Sequence, residues 1–204
     1  MTDSRTIELF FDVGSPYSYL ASTQVARIRE QTGVPLEMRP FLLGAVMKET
    51  GNDAPARVAP KARYMLDDLV RWAARYGVPF RMSSRFPQNT LAAQRALVAA
   101  EQLFGPEAME RLAHRLFAAA WVEDRDVSSG DELAACVNEA GLDARALAEA
   151  IGSQPVKDAL RETTAEAVRR GAFGAPTFFF GDLMVWGNDR IDLLIELVRA
   201  KSPG

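Results

Sequence analysis

Cysteine is all but missing: the 204 residues contain one, Cys136. A single thiol closes no internal disulfide, and no metal-ligand spacing surrounds it. In the helical-looking stretch DELAACVNEAG it reads as a small buried apolar residue. Histidine is as scarce. The one present, His114, lies on the amphipathic stretch EAMERLAHRLFAAAW with no partner evident nearby in sequence. No G-x-S-x-G elbow occurs either, so a serine-hydrolase triad has little support. Charge of one sign is lacking too: 24 Lys and Arg stand against 27 Asp and Glu, for a net charge of -3. That balance disfavours a nucleic-acid partner, which calls for a basic face, yet leaves room for a local basic pocket. No apolar run nears the ~20 residues that span a bilayer. The start, MTDSRTIELFF, has no charged-then-apolar signal pattern. The expectation is a cytoplasmic location with no membrane partner.

What is present divides into two short sheet-forming ends and a helical middle. Residues 6–13 (TIELFFDV) are β-branched and aromatic and predict a buried strand. Gly14 breaks it, Ser15 suits a helix cap and Pro16 the first helical position. Leu20, Ala21, Val25 and Ile28 continue at helical spacing to a stop at Gly33, and residues 34–40 (VPLEMRP) give a second strand. From about 43 to 170 the apolar period is helical. In ARYMLDDLVRWAARYG it places Tyr64, Leu66, Leu69, Val70, Trp72 and Ala73 mostly on one side. The stretch TGNDAPARVAP is the loop into this block. Residues 175–181 and 183–186 then form two strands joined by Gly181-Asp182, a hairpin spacing, before a last helix over 189–201. The order predicts an α/β protein: a βαβ…ββα core (1–42 and 171–204) with an inserted all-helical domain (43–170).

The chemistry gathers at turns. At FDVGSPYSYL a helix start offers unpaired N–H groups and a positive dipole end. A redox enzyme holds a reactive cysteine at such a corner. Here the equivalent C-x-x-C positions are Ser15 and Ser18, so dithiol exchange cannot occur. A hydroxyl still donates a hydrogen bond to a thiolate brought by a ligand, although Ser15 alone is equally a plain cap. In GAFGAPT, Pro176 directly before a strand suits a cis corner at Ala175-Pro176, leaving the Ala175 backbone open to an extended, peptide-like ligand. An ordinary trans loop proline is the other reading. In WGNDR, Asn188 or Asp189 caps the final helix, or Asp189 faces a ligand ammonium group. Asn52 and Lys61 sit in the loop, where Lys61 is otherwise a solvated charge. In RFPQNT, Asn89 reads as a helix cap.

Taken together and in this order, FDVGSPYSYL, GNDAPARVAPKARYM, RFPQNTLAAQRAL, GAFGAPTFFF and GNDR resemble the 2-hydroxychromene-2-carboxylate isomerase family and the related kappa-class glutathione transferases, of the DsbA superfamily. The resemblance spans about residues 6 to 200. It implies that the core is thioredoxin-like, and it implies glutathione as cofactor, with Ser15 on its sulfur, Ala175 and Pro176 on its cysteinyl backbone, Asn188 and Asp189 at the γ-glutamyl end, and Asn52 and Lys61 toward the glycyl end. It implies a small anionic aromatic substrate near Lys61, Tyr64, Pro87 and Asn89. The implied reaction interconverts 2-hydroxychromene-2-carboxylate and trans-o-hydroxybenzylidenepyruvate by reversible thiolate addition. The alternatives are a transferase conjugating electrophiles and a non-catalytic binding module. RFPQNT favours the isomerase. The resemblance alone suggests a homodimer.

Overall fold

The computed structural model describes residues 6–201. The outermost residues of both expected end segments, 1–5 and 202–204, lie outside it. Its centre is β1 (Ile7–Phe11), buried at every position. β1 pairs in parallel with β2 (Leu36–Pro40) and antiparallel with β3 (Thr177–Phe180). β4 (Leu183–Trp186) returns antiparallel to β3 across Gly181-Asp182, with Phe180 opposite Leu183, so the sheet order is β2-β1-β3-β4. A strand covered on both faces explains why β1 is apolar on both sides apart from Glu8, where a half-exposed strand would alternate.

The pleat sorts these residues by twos. Ile7, Leu9 and Phe11 join Phe178 and Phe180 in the main apolar core, while Phe10 and Phe179 turn to a smaller cluster with Phe41, Val46 and Ala167. On that second side the buried Glu8 lies between Arg39, at 2.6 Å, and Arg170, at 2.7 Å. Both guanidinium groups stand over the Phe10 ring, so they cover apolar surface as well as pairing the carboxylate.

The helix expected from Ser15 to Gly33 is in fact two, α1 (Pro16–Ser22) and α2 (Val25–Thr32). The Ser22 and Thr23 hydroxyls each donate to the carbonyl three residues back, at 2.7 Å, and the Gln24 N–H does the same to Ala21. Side-chain bonds of this kind compete with the helical ladder and break it here. Gly33 at φ 66° then ends α2 as expected.

Every element between β2 and β3 is helical: α3 (Leu43–Thr50), a 3-10 turn at Pro55–Arg57, α4 (Ala59–Tyr76), α5 (Leu91–Phe104), α6 (Pro106–Trp121), α7 (Gly130–Glu139), α8 (Ala144–Ala150) and α9 (Gln154–Arg169). Asp143 and Ser153 accept N–H groups at the starts of α8 and α9. A second 3-10 turn, Asn188–Arg190, leads into α10 (Ile191–Lys201). The arrangement is thioredoxin-like with a helical insertion. α9 ends the helical block and also covers the sheet, bringing Ala167 against Phe10 and Phe179.

On α4 the buried stripe is Met65, Leu69 and Ala73, spaced by four. Tyr64, Leu66 and Val70, expected on the packed side, are exposed, because each lies about a quarter-turn or more off that stripe. Among the described residues no helix is long and apolar enough to cross a membrane, and no group of three or more His, Cys, Asp or Glu could hold a metal ion.

Candidate active site

The C-terminal end of β1 runs directly into the corner Asp12-Val13-Gly14-Ser15. Ser15 is the N-cap of α1: its Oγ accepts the Ser18 N–H at 3.1 Å and donates to the Ala175 carbonyl at 3.3 Å. Pro16 has no N–H, and Ser18's is taken by the cap. The Tyr17 N–H is left without a partner among the described residues. The Ala175-Pro176 bond is cis. Past it, the Pro176 carbonyl accepts the Gly187 N–H, while the Ala175 N–H has no partner among the described residues.

Around this corner opens a cleft of about 880 Å³. It takes in Ser15, Asn52, Lys61, Tyr64, Pro87, Ala175, Pro176, Asn188 and Asp189. These nine come from both chain ends and from the helical insertion. Asn52 donates from Nδ2 to the Phe173 carbonyl at 2.8 Å, which ties its loop to the GAFGAPT segment. Lys61 and Tyr64 stand exposed on α4. Asn188 is buried, and its Nδ2 has no hydrogen-bond partner among the described residues. Asp189 is exposed and pairs with Arg190 at 3.1 Å. Glycine suits position 187 because φ is 100°, a conformation that side-chain-bearing residues rarely adopt.

Asn89 is the exception. It does not line the cleft; its exposed side chain accepts the Leu91 N–H at 3.1 Å, a turn just before α5, whose N-cap is Thr90 and not Asn89 as the cap reading expected. Its neighbours Gln88 and Thr90 line the cleft instead, and the Phe86-Pro87 bond before them is a second cis peptide, which sequence reasoning did not anticipate. The remaining single residues lie elsewhere. Cys136 is buried, and burial pushes its thiol pKa up. His114 has a neighbour after all, with Nε2 3.8 Å from Glu110 one turn back on α6.

Asp12 and Thr90 on the cleft floor, with Gln94 and Trp121 buried beneath it, are residues that sequence reasoning passed over. Asp12 is buried and accepts from the Gly14 N–H at 2.9 Å, the Thr90 hydroxyl at 2.7 Å and the Leu43 N–H at 2.9 Å. Burial raises its pKa against the opposing pull of those three donors. Gln94, fully buried on α5, donates to the Phe11 carbonyl at 3.0 Å and the Phe41 carbonyl at 2.7 Å. Trp121 donates from its indole to the Val13 carbonyl at 2.8 Å. A signal was available: Asp12 ends an apolar strand, and Gln94 interrupts the apolar face of LAAQRALVAA. Toward the outer wall, the Tyr17 hydroxyl donates to Asp68 at 3.0 Å, and burial together with that carboxylate pushes the phenol pKa well up, so it remains a donor.

Chemically, the corner offers a hydroxyl and a helix-start N–H to an anion, and an open backbone N–H at Ala175 to an extended ligand. Comparison with known proteins is consistent with this geometry. The model of the DSBA-like thioredoxin domain matches residues 6–199. A 2-hydroxychromene-2-carboxylate isomerase of Sphingobium xenophagum is 35% identical over 94% of this chain and 96% of its own. Glutathione S-transferase kappa 1 of Rattus norvegicus is 33% identical over 98% and 93%. Among solved structures, one of a 2-hydroxychromene-2-carboxylate isomerase superposes with a TM-score of 0.85 at 27% identity, covering 96% of this chain and 95% of that one.

Proposed function

From the premise that this chain belongs to the DSBA-like thioredoxin domain family and is an enzyme akin to its isomerases and kappa-class transferases, we propose that it is a glutathione-dependent isomerase. Its reaction is the interconversion of 2-hydroxychromene-2-carboxylate and trans-o-hydroxybenzylidenepyruvate. One observation carries the reading: a serine hydroxyl at a helix start and an unpaired backbone N–H beside a proline corner open into the same cleft. The enzyme acts in the cytoplasm.

The residues present suit glutathione. The Ala175 N–H, the buried and unpartnered Asn188 amide and the exposed Asp189 carboxylate match a ligand that carries peptide groups, a carboxylate and an ammonium. Ser15 would hold the sulfur, Ala175 and Pro176 the cysteinyl backbone, Asn188 and Asp189 the γ-glutamyl end, and Asn52 and Lys61 the glycyl side. Bound glutathione supplies the thiolate, whose reversible addition to a conjugated enone makes the double bond temporarily single. Ser15 turns its O–H from the Ala175 carbonyl to the sulfur and, with the Tyr17 N–H, favours the charged form of a thiol whose ordinary pKa is about 8.5. Lys61, exposed on the cleft wall, meets the substrate carboxylate and steadies the enolate oxygen. Tyr64 and Pro87 flank the aromatic ring. The core at 1–42 and 171–204 thus brings the thiol site, and the insertion at 43–170 brings the substrate side.

Absorbance assays with both isomers and reduced glutathione test this. Interconversion with no net loss of glutathione supports the isomerase. Stoichiometric consumption of glutathione identifies a conjugating transferase instead, and binding without turnover identifies a binding module.

A further inference from the structure

Behind the cleft lies a second hollow of about 610 Å³, between α3, the first turns of α5 and the side of α9 that packs toward them. It shares no lining residue with the cleft. The two are back to back all the same. Leu42 faces the hollow where Leu43 faces the cleft, and Leu91 faces it where Thr90 faces the cleft. Its size suits a small ligand.

The walls combine two chemistries. Leu42, Leu91, Leu160 and Val168 give apolar surface. Arg95, Lys157, Arg161 and Arg169 bring positive charge against a single acid, Glu49, in a chain whose net charge is -3. Two of the four cations are already paired: Arg161 with Asp158 at 2.7 Å and Arg169 with Glu162 at 2.7 Å. Arg95 and Lys157 have no acidic partner among the described residues, and the Arg95 Nε is buried with no hydrogen-bond acceptor. A guanidinium is a planar fork of donors matched to a carboxylate, and a buried N–H left unpaired is unfavourable until an acceptor arrives.

We propose that this hollow is a second binding site, for a small carboxylate with an apolar body. The carboxylate sits on Arg95 and Lys157, and the body lies against the leucines and Val168. The inference rests on the hollow's own residues and stands whether or not the cleft performs the proposed isomerisation. Occupancy would press on backbone that the cleft uses. The Leu42 N–H is held from α9 by the Thr164 hydroxyl at 3.1 Å, and the next N–H, of Leu43, is held by Asp12 at 2.9 Å.

The test is titration of the isotope-labelled full chain with 2-naphthoate, followed through backbone amide resonances. Saturable shifts are expected at Leu42, Ala45, Leu91, Arg95 and Val168. Affinity should fall about tenfold or more for Arg95→Leu and for neutral 2-naphthamide on the unaltered chain, the size of one lost charge-assisted hydrogen bond. Ser15→Ala should leave it unchanged. Shifts confined to cleft residues such as Ser15, Tyr64 and Ala175 would overturn the proposal, as would equal affinity for acid and amide. Should Arg95→Leu not fold, Lys157→Met takes its place with an expected loss of about threefold or more, and an unaltered affinity there overturns the proposal equally.

Discussion

The floor and the rim of the cleft are made on opposite terms. On the floor and directly beneath it, Asp12, Thr90, Gln94 and Trp121 are buried, and each is bonded to backbone or to another member of the set. On the rim, Asn52, Lys61, Tyr64 and Asp189 are exposed, and they come from a loop, an outward helix face and a short 3-10 turn. The floor holds strand and helix ends that have lost their ladder partners, where an unmet polar group is costly. The rim exposes its side chains to an incoming ligand, held at most by exposed bonds such as those of Asn52 to the Phe173 carbonyl and of Asp189 to Arg190. Ser15 belongs to both: it is buried and caps α1, yet its Oγ opens to the cleft. The difference teaches that reactive groups here are loosely held side chains on a rigidly satisfied frame.

The strongest way to break this contrast is to empty the floor. Gln94→Leu takes the amide partner from the Phe41 carbonyl and the Val13 N–H in the interior, while the Phe11 carbonyl keeps the Phe41 N–H, and should destabilise the fold by about 3 kcal/mol, at 1–3 kcal/mol for each orphaned group. Urea denaturation measures this, and a loss below about 1 kcal/mol would mean that the frame does not depend on that amide. Next in size is Ser15→Ala. A hydrogen bond to a charged acceptor contributes roughly 1.5–3 kcal/mol, so kcat for isomerisation at saturating glutathione should fall about ten- to a hundredfold. An unchanged rate would remove Ser15 from the chemistry and leave it a cap.

The acid limb of stability sharpens the comparison away from the cleft. Glu110 on α6 is held at about pKa 2 by the adjacent His114 ring and the Arg29 guanidinium, with burial opposing. Arg29 is the nearer partner, bidentate at 2.8 and 2.7 Å. Because the folded pKa lies below the ordinary 4.5, the native state binds fewer protons than the unfolded chain between those values. Stability from this carboxylate is therefore full above about pH 4.5 and is lost as pH falls toward 2. Glu110→Gln should flatten that limb and cost about 1 kcal/mol at neutral pH, a figure reduced for the pair's partial exposure. Denaturation midpoints from pH 2 to 6 give the readout. The smallest effect belongs to the rim: Lys61→Met should raise KM about two- to fivefold with no shift in the urea midpoint, as expected for an exposed charge. A stability loss there would erase the distinction between rim and floor.

Much of the frame was readable in the chain. The hairpin shows in Gly181-Asp182 between apolar runs, the first helix start in Gly14-Ser15-Pro16, and the helical block in its spacing and its capping residues. The break at Thr23 was not readable. It depends on which carbonyl a hydroxyl selects, and a helix through that point would have satisfied the same apolar pattern. Asn89 illustrates a choice between roles: a local bond at a helix start and a ligand contact call for the same side chain, and local geometry took the bond to the Leu91 N–H one residue ahead of the cap, Thr90. The polar floor was missed because a lone Asp or Gln in an apolar run carries no periodic signal.

By itself, the sequence determined element types, their order, and the replacement of a dithiol corner by two serines. These follow from short-range rules: backbone propensity, capping and the chemistry of single side chains. Tertiary structure alone decided which polar groups meet. Asn52 reaches the Phe173 carbonyl and Ser15 reaches that of Ala175 across 121 and 160 positions of chain. Such meetings depend on how helices pack against the sheet, a sum over many weak contacts that no local stretch encodes.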